Sequence, residues 1–467
     1  MAVPPGPAGS ATRGSAPSTP RHVLLPLALA QFICSFAGSN MNVMINDISA
    51  DLDTTVQGVQ LAITIFLLVM AALMIPGGKL TDRVGRKRCL VAGLAVYGVG
   101  ALLSAAAPGL GVLILGNSIL EGVGTALLIP PVYILTTLHF TDVTARARAF
   151  GVIMALGGVG AAAGPLIGGL ITSGLSWRAA FVFQALVVAV IIVLSRRIAD
   201  PLPPEPSRPF DIGGAVLSAV GLILVVAGIL AADDNGWLMA GLLLLGALVL
   251  AGFFRWVRAK ERAGREPLLS TGLFRDRTSN LGLLTQHLQW LILMGVSFVV
   301  AAYLQVVRGY DAIRTGVIFT AATAGILAAS LAAERFAKRR TPRTLVMTGF
   351  AVTVGGIVTL LAMAGGSPSA WATAPGLLMI GLGLGVMLTP SVNVVQSSFP
   401  EDQQGEISGL SRSVSNLGSS LGTAVAGTIL VADLAFGSYA AALIVLAAIG
   451  VAGFIAAMLL PRHPAAR

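Results

Sequence analysis

The amino-acid sequence predicts an all-α polytopic membrane protein, with two six-helix bundles plus two inserted helices and fourteen transmembrane helices in all. Three observations predict it. First, 55% of the 467 residues are hydrophobic and 11% are charged, with a mean hydropathy of +0.87, whereas soluble domains carry about 25% charged residues. Second, 56 glycines stand beside an aromatic content of only 6%, which suits membrane helices whose small residues let backbones approach closely. Third, the chain divides into apolar runs of about 20 residues, the length that crosses about 30 Å of hydrocarbon.

In chain order these runs lie at residues 23–46, 58–78, 89–108, 110–137, 148–173, 178–195, 212–231, 237–254, 280–306, 312–333, 345–364, 371–397, 405–432 and 437–460. Ahead of them, residues 1–22 are rich in Pro, Ala, Gly and Ser and read as a disordered cytoplasmic tail. They do not read as a secretory signal, because the following apolar run is too long for an h-region and no A-x-A-like site ends it. Two charged, Pro-bearing linkers at 196–211 and 255–280 bracket the seventh and eighth runs. The expected organisation is an N-terminal six-helix bundle at 23–198, a linker with an inserted helix pair at 199–279, a C-terminal six-helix bundle at 280–460 and a cytoplasmic tail at 461–467. Paired halves of this kind are common in secondary transporters.

The net charge of +10 raises the question of nucleic acid, and the distribution of the charge answers it. With the N-terminus in the cytoplasm, 26 of the 30 Lys and Arg fall on cytoplasmic segments, and only Arg178, Arg308, Arg314 and Arg412 do not. That asymmetry over fourteen alternations is the positive-inside rule. The basic charge therefore reads as topology and as contact with anionic membrane lipids, and no nucleic-acid partner is expected. Enzyme classes lack their parts. The "GGKL" stretch has Leu80 where a phosphate-binding loop needs a hydroxyl, and no Cys/His cluster has metal-ligand spacing. No cofactor or metal is expected, and the two cysteines, Cys34 and Cys89, are expected at different depths, so no disulfide between them is expected.

Polar positions inside the apolar runs carry the functional information. In the first run Gln31, Ser35, Ser39, Asn42 and Asn46 recur at helical spacing and share one face. Thr389, Asn393 and Gln396 do so in the twelfth run, and Ser408, Ser411, Ser415 and Ser419 in the thirteenth. Singly, such groups can simply bond helix to helix for about 0.6 kcal/mol each. Together, three stripes suit a shared water-filled cavity. Glu121 is the one acid deep in a run, in "GNSILEGVGTALLIPP". A charged side chain at that depth costs about 2.5 to 3.5 kcal/mol, and the default reading of such a residue is functional. It can carry a proton, and Asn117 and Thr125 share its helical face at i−4 and i+4. A structural acid bonded to a neighbouring helix is the alternative. His287, flanked by Gln286 and Gln289, is a second candidate for a proton path or a plain hydrogen-bonding residue. Arg412 can bind an anionic group, pair with a carboxylate or snorkel to the interface.

Two motifs add a family. The loop "GGKLTDRVGRKR" places Gly78, Leu80, Asp82, Arg83, Gly85, Arg86 and Lys87 on the cytoplasmic loop signature of the major facilitator superfamily. The glycines permit a tight turn between spans, and the resemblance implies a conformational latch formed by Asp82 with Arg83 and Arg86. The fifth run, "GVIMALGGVGAAAGPLIGG", places Gly151, Gly160, Gly164, Pro165, Gly168 and Gly169 on what resembles the superfamily's antiporter motif. Its glycines give a smooth face and its proline a kink.

With fourteen spans, "SWRAAF", "YLQVVRGYDAIRTGV", "GLGLGVMLTP" and "GEISGLSRSVSNLGSSLGTAVAGT", the chain from about residue 23 to 460 resembles the fourteen-span drug/proton antiporters of that superfamily. The resemblance implies a major facilitator fold and a monomeric, multi-pass plasma-membrane protein with both termini cytoplasmic. It further implies export of small amphipathic or lipophilic compounds in exchange for protons. There are departures: Ala37 stands where family members often have an acid in the first span. In the fourth, Ser118 and Glu121 stand where the R-x-x-Q-G motif has Arg and Gln. Proton coupling is therefore expected to be organised differently here, around Glu121. Other readings are an exporter or symporter of one endogenous metabolite or lipid, told apart by flux direction under a pH gradient, and a non-transporting membrane sensor.

Overall fold

A computed structural model describes residues 21–140, 142–207, 209–231, 235–337, 339–364, 369–399, 404–431 and 436–461. Among them the secondary structure is helical throughout, as an apolar bilayer requires of a chain that satisfies its own backbone.

Fourteen long helices follow the predicted runs. They are α1 (Arg21–Asn40), α2 (Val56–Val84), α3 (Arg86–Ala105), α4 (Leu110–His139), α5 (Val143–Gly174), α6 (Trp177–Ser195) and α7 (Ile212–Leu230). They continue with α8 (Gly236–Arg262), α9 (Arg277–Val307), α10 (Ala312–Ala337), α11 (Pro342–Ala364), α12 (Ala374–Gln396), α13 (Gln404–Val431) and α14 (Phe436–Met458). Their starts are set by local chemistry. Thr55, Asp142, Ser176, Asp211, Asn235 and Asp276 each accept a hydrogen bond from a backbone N–H of the first turn, satisfying donors that a helix start leaves open.

Twelve of these helices are long and apolar enough to cross a membrane, and the bent α5 makes thirteen. The serine-rich α13 is less apolar, but its 28 residues reach about 42 Å at 1.5 Å per residue. Its packing against α2 and α9 places it in the same layer. The bend in α5 is 43° and falls between Ala161 and Ala163, beside the carbonyl whose partner Pro165 has removed.

One expectation is corrected. The loop signature was read as a turn, yet α2 runs on through Gly77, Gly78 and Arg83 to Val84. Nothing in "GGKLTDRV" breaks a helix, and the Thr81 hydroxyl closes back on the Gly77 carbonyl at 2.8 Å. The reversal is made by Gly85 alone, at φ 106°, a backbone region that glycine adopts without strain.

Helix packing forms two groups. α1 packs on α5, α3 on α4 and α6, and α2 on α4; α9 packs on α13 and α14, and α12 on α10 and α11. α7 and α8 pair with each other and reach α2 and α13 through α7. The groups meet along α2 with α13 and α5 with α10. For orientation, the basic end is the one bearing Lys79 to Arg88, and the far end is opposite.

Candidate functional site

Glu121 ends a π-helical segment, Ile114–Glu121, inside α4. Such wide turns occur mostly as single bulges in α-helices and often at functional sites. Two glycines bring α3 against it. A Cβ on Gly100 would stand 2.9 Å from the Glu121 nitrogen, and one on Gly124 would stand 2.6 Å from the Tyr97 nitrogen. The carboxyl is thereby sealed, at 0% exposure, and neither of its oxygens has a hydrogen-bond partner. Asn117 and Thr125 are buried with it. The Thr125 hydroxyl donates to the Glu121 carbonyl at 2.8 Å, and Cys34 of α1 contacts that hydroxyl at 4.0 Å. Ser118, at the position of the family arginine, donates to the Ala62 carbonyl of α2 at 2.7 Å. Tyr97 lies beside the carboxyl with its hydroxyl donated to Gln184 Oε1 of α6.

A second cluster bridges the two helix groups. Gln31 Nε2 donates to Ser35 at 3.2 Å, and the Tyr133 hydroxyl donates to Gln31 Oε1 at 2.9 Å. Arg412 of α13 donates to that same hydroxyl. Its guanidinium lies 4.9 Å from the centre of the Tyr133 ring, a cation–π geometry. Arg412 therefore reaches across to α4 instead of snorkelling away. Beside it, Ser411 donates to Gln286 at 2.8 Å and His287 Nδ1 meets the Val414 carbonyl at 3.1 Å. His287 thus belongs to the α9–α13 seam. Gln289 is buried, with neither amide atom hydrogen-bonded.

The predicted stripe of the first run divides, because the helix breaks after Asn40 and Asn42 and Asn46 fall in a 3-10 turn, Met41–Val43, and a short helix, Ile45–Asp51. Gln31 and Ser35 join this cluster, whereas Asn42 and Asn46 sit at the far end, where the groups close on each other. Asn46 N donates to Gln305 Oε1 at 3.1 Å and Asn46 Nδ2 to the Gln305 carbonyl at 2.7 Å, while Gln305 Nε2 donates to the Asn42 carbonyl at 2.6 Å. A second π-helical turn, Tyr303–Val307, presents Gln305 for these bonds. Asn393 and Thr389 are exposed on α12.

The glycines of α5 serve two contacts. A Cβ on Gly160 would meet the Phe32 carbonyl at 2.3 Å, and ones on Gly164 and Gly168 would meet Ser39 and Asn40; these three fit α5 to α1. Gly169 and Pro165 instead face α10. A Cβ on Gly169 would stand 2.4 Å from the Ala312 carbonyl, and one on Gly316 would stand 2.4 Å from the Pro165 carbonyl. Gly151 has open space around its Cβ position and takes no part in either seam.

At the basic end, Arg86 is buried and donates to the Pro203 carbonyl at 3.4 Å, Lys87 N donates to Asp200 at 3.2 Å, and Arg83 is exposed. The Asp82 side chain lies outside the described part. Lys79 joins the groups here, 2.9 Å from Glu266 and 3.7 Å from Glu406 of α13. Lys79, Tyr97, Tyr133 and Gln305 were not singled out by the sequence. Only Gln305, a polar residue in an apolar run, offered a signal there.

The Major Facilitator Superfamily profile matches residues 27–214 and 210–423. The chain belongs to the major facilitator superfamily. It is 30% identical over 412 residues to the puromycin resistance protein pur8 of Streptomyces alboniger, covering 87% of this chain and 81% of that one. It is 30% identical over 371 residues to the multidrug efflux pump LfrA of Mycolicibacterium smegmatis, covering 79% and 73%. Among solved structures, a peptide transporter POT bound to sulfate superposes with a TM-score of 0.67 at 16% identity, covering 94% of this chain and 95% of that one, a likeness of fold. As a major facilitator the protein is a multi-pass secondary transporter of small molecules, and not an enzyme.

Proposed function

We propose that this transporter exports small amphipathic or lipophilic compounds, drugs among them, in exchange for protons, with Glu121 as the proton carrier. The observation that carries the reading is the sealed Glu121 carboxyl with no hydrogen-bond partner. An ionised carboxylate there is uncompensated and costs several kcal/mol, so the group is neutral in this state and ionises only when water reaches it. The resistance and efflux relatives supply the substrate class.

In this reading the chain divides into six-helix bundles at 23–198 and 280–460 with the pair at 199–279 inserted between them, and it works as a plasma-membrane monomer. The basic end faces the cytoplasm, as the positive-inside rule directs. The far-end closure through Asn46 and Gln305 is then an outer gate, and Lys79 with Glu266 and Glu406 contributes to an inner one. Gly169 against Ala312 and Gly316 against Pro165 form the surface on which the bundles rock.

Proton and substrate compete because both act on α1 and α4. A substrate entering between the bundles displaces the Gln31, Tyr133 and Arg412 contacts and shifts α4 against α3, admitting water to Glu121. The proton leaves inward, the loaded carrier turns outward, and reprotonation from outside accompanies release. A single proton-carrying carboxyl corresponds to about one proton per cycle. His287 and Gln289 extend the polar path on the other bundle.

The test is transport into everted vesicles of a panel of amphipathic compounds that includes puromycin. The Glu121→Gln variant is expected to lose uphill accumulation driven by a pH gradient while retaining downhill exchange. Uphill transport undiminished in that variant contradicts the reading, and substrate flux in the opposite direction points to a symporter.

A further inference from the structure

Gln184 and Tyr97 lie outside every motif considered above, yet both are fully buried beside Glu121. Polar side chains in this position need a reason. Tyr97 projects from α3 toward α4 where glycines at positions 93, 100 and 124 let the two helices approach closely. A Cβ on Gly93 would stand 2.8 Å from the Gly124 carbonyl, and one on Gly124 would stand 2.8 Å from the Tyr97 Cβ. The ring is thereby wedged against the end of the π segment, with Glu121 as its neighbour.

The hydrogen-bond inventory of this pocket is unbalanced. The Tyr97 hydroxyl has one proton to donate, and it goes to Gln184 Oε1. Gln184 Nε2 has no partner, and neither has Glu121 Oε1 or Oε2. The Gln184 amide oxygen and the Glu121 carboxyl are thus both acceptors within reach of the Tyr97 proton, which in this state goes to Gln184; the Gln184 Nε2 and Asn117 Nδ2 donors are left unpaired. An ionised carboxylate is the stronger acceptor by about a factor of two. When Glu121 gives up its proton, rotation of the Tyr97 O–H away from Gln184 supplies the anion with a hydrogen bond.

We propose that Tyr97 is a positioning residue for proton exchange, a two-position switch whose hydroxyl rests on Gln184 while Glu121 is protonated and turns to the Glu121 carboxylate when it is ionised. The inference rests on Glu121 being the proton carrier. No proton passes through Tyr97: the carboxyl proton leaves to water, and the tyrosine keeps its own. The other ionisable groups around the pocket are Cys34 on α1, which faces Thr125, and Arg412 and Tyr133, which lie further toward the basic end. α2 contributes the backbone carbonyl of Ala62 and the side chain of Val69, and α6 contributes Gln184.

The test needs no substrate. Purified full-length protein is titrated while the infrared carbonyl band of a protonated carboxyl is followed, and Glu121→Gln identifies the band. Tyr97→Phe keeps the ring and its packing but removes the donor. The band is expected to persist to higher pH, its midpoint rising by about one unit, since a hydrogen bond to a charged group is worth about one pH unit or more. Gln184→Leu removes the competing acceptor and is expected to lower the midpoint. General damage to the pocket moves both variants in the same direction, and that result overturns the switch. A midpoint unmoved by Tyr97→Phe also overturns it while leaving the carrier intact. A wild-type band that Glu121→Gln leaves in place overturns the carrier reading, and this inference with it.

Discussion

Asn46 grips Gln305 at two points, with its backbone N–H on the side-chain oxygen at 3.1 Å and its side-chain amide on the backbone carbonyl at 2.7 Å. The two residues come from opposite helix groups, so the pair ties the far end shut. Neither survives separation of the groups, and each bond contributes about 1 kcal/mol. Asn46→Ala removes the side-chain bond and is expected to shift the population toward states open at the far end by about fivefold. Spin-label distances between Ser49 and Asp311, taken in proteoliposomes, read that shift as a longer-distance component.

The glycine seams make a graded prediction. Gly169→Val drives a branched side chain into the Ala312 carbonyl, with which even a Cβ would collide at 2.4 Å. Closure is blocked, and export is expected to fall by tenfold or more with the protein still folded. Gly151→Ala enters open space and leaves export within about twofold, although both glycines belong to the same sequence motif. Parallel export assays on matched expression levels check the contrast.

Tyr133 holds Gln31 and Arg412 through one hydroxyl. Tyr133→Phe keeps the ring under the guanidinium but releases both polar partners. The expected result is an altered substrate profile, with affinities changed by about tenfold and the maximal rate of proton-driven export retained. Arg412→Lys, which loses the planar fork over the ring, is expected to cost more than the charge alone accounts for. Competition binding across the substrate panel distinguishes the two.

Asp211 predicts a pH dependence of stability. Burial pushes its carboxyl up, but the Trp256 indole at 3.0 Å, the Gly214 and Leu268 backbone N–H groups at 2.9 and 3.1 Å and Lys260 at 2.9 Å outweigh that and hold it below the ordinary value of 3.8. A carboxyl held low when folded contributes stability that is fully present above the unfolded value and is lost as pH falls through the folded one. Asp211 anchors the start of α7 to α8 and the following linker. Thermal unfolding in detergent is expected to show a stability loss below about pH 4 that is smaller in Asp211→Asn, and the variant is expected to be less stable at pH 7.

The sequence made the helices legible because the bilayer permits little else: length, apolarity and the basic loops placed all fourteen runs in order. Its main misplacement, the end of the second run at residue 78, arose because charge marks the edge of the membrane while helix geometry continues to the turn at Gly85. The site was legible where a polar residue stood against an apolar background, as with Glu121, Gln31 and Arg412. Tyr97 and Tyr133 were invisible for the opposite reason, since a tyrosine in a membrane helix reads as apolar. Their roles come from partners far away in the chain, Gln184 and Arg412. Asn42 and Gln31 fell on one periodic stripe, but only the meeting of the segment after α1 with Gln305 separates gate from cavity.

The central claim is that Glu121 carries the exchanged proton. The direct measurement is the number of protons exchanged per substrate molecule, taken in proteoliposomes from the substrate gradient that balances an imposed pH gradient. About one proton per substrate is predicted for the wild type, and none for Glu121→Gln with downhill exchange preserved. An unchanged ratio in Glu121→Gln would contradict the account.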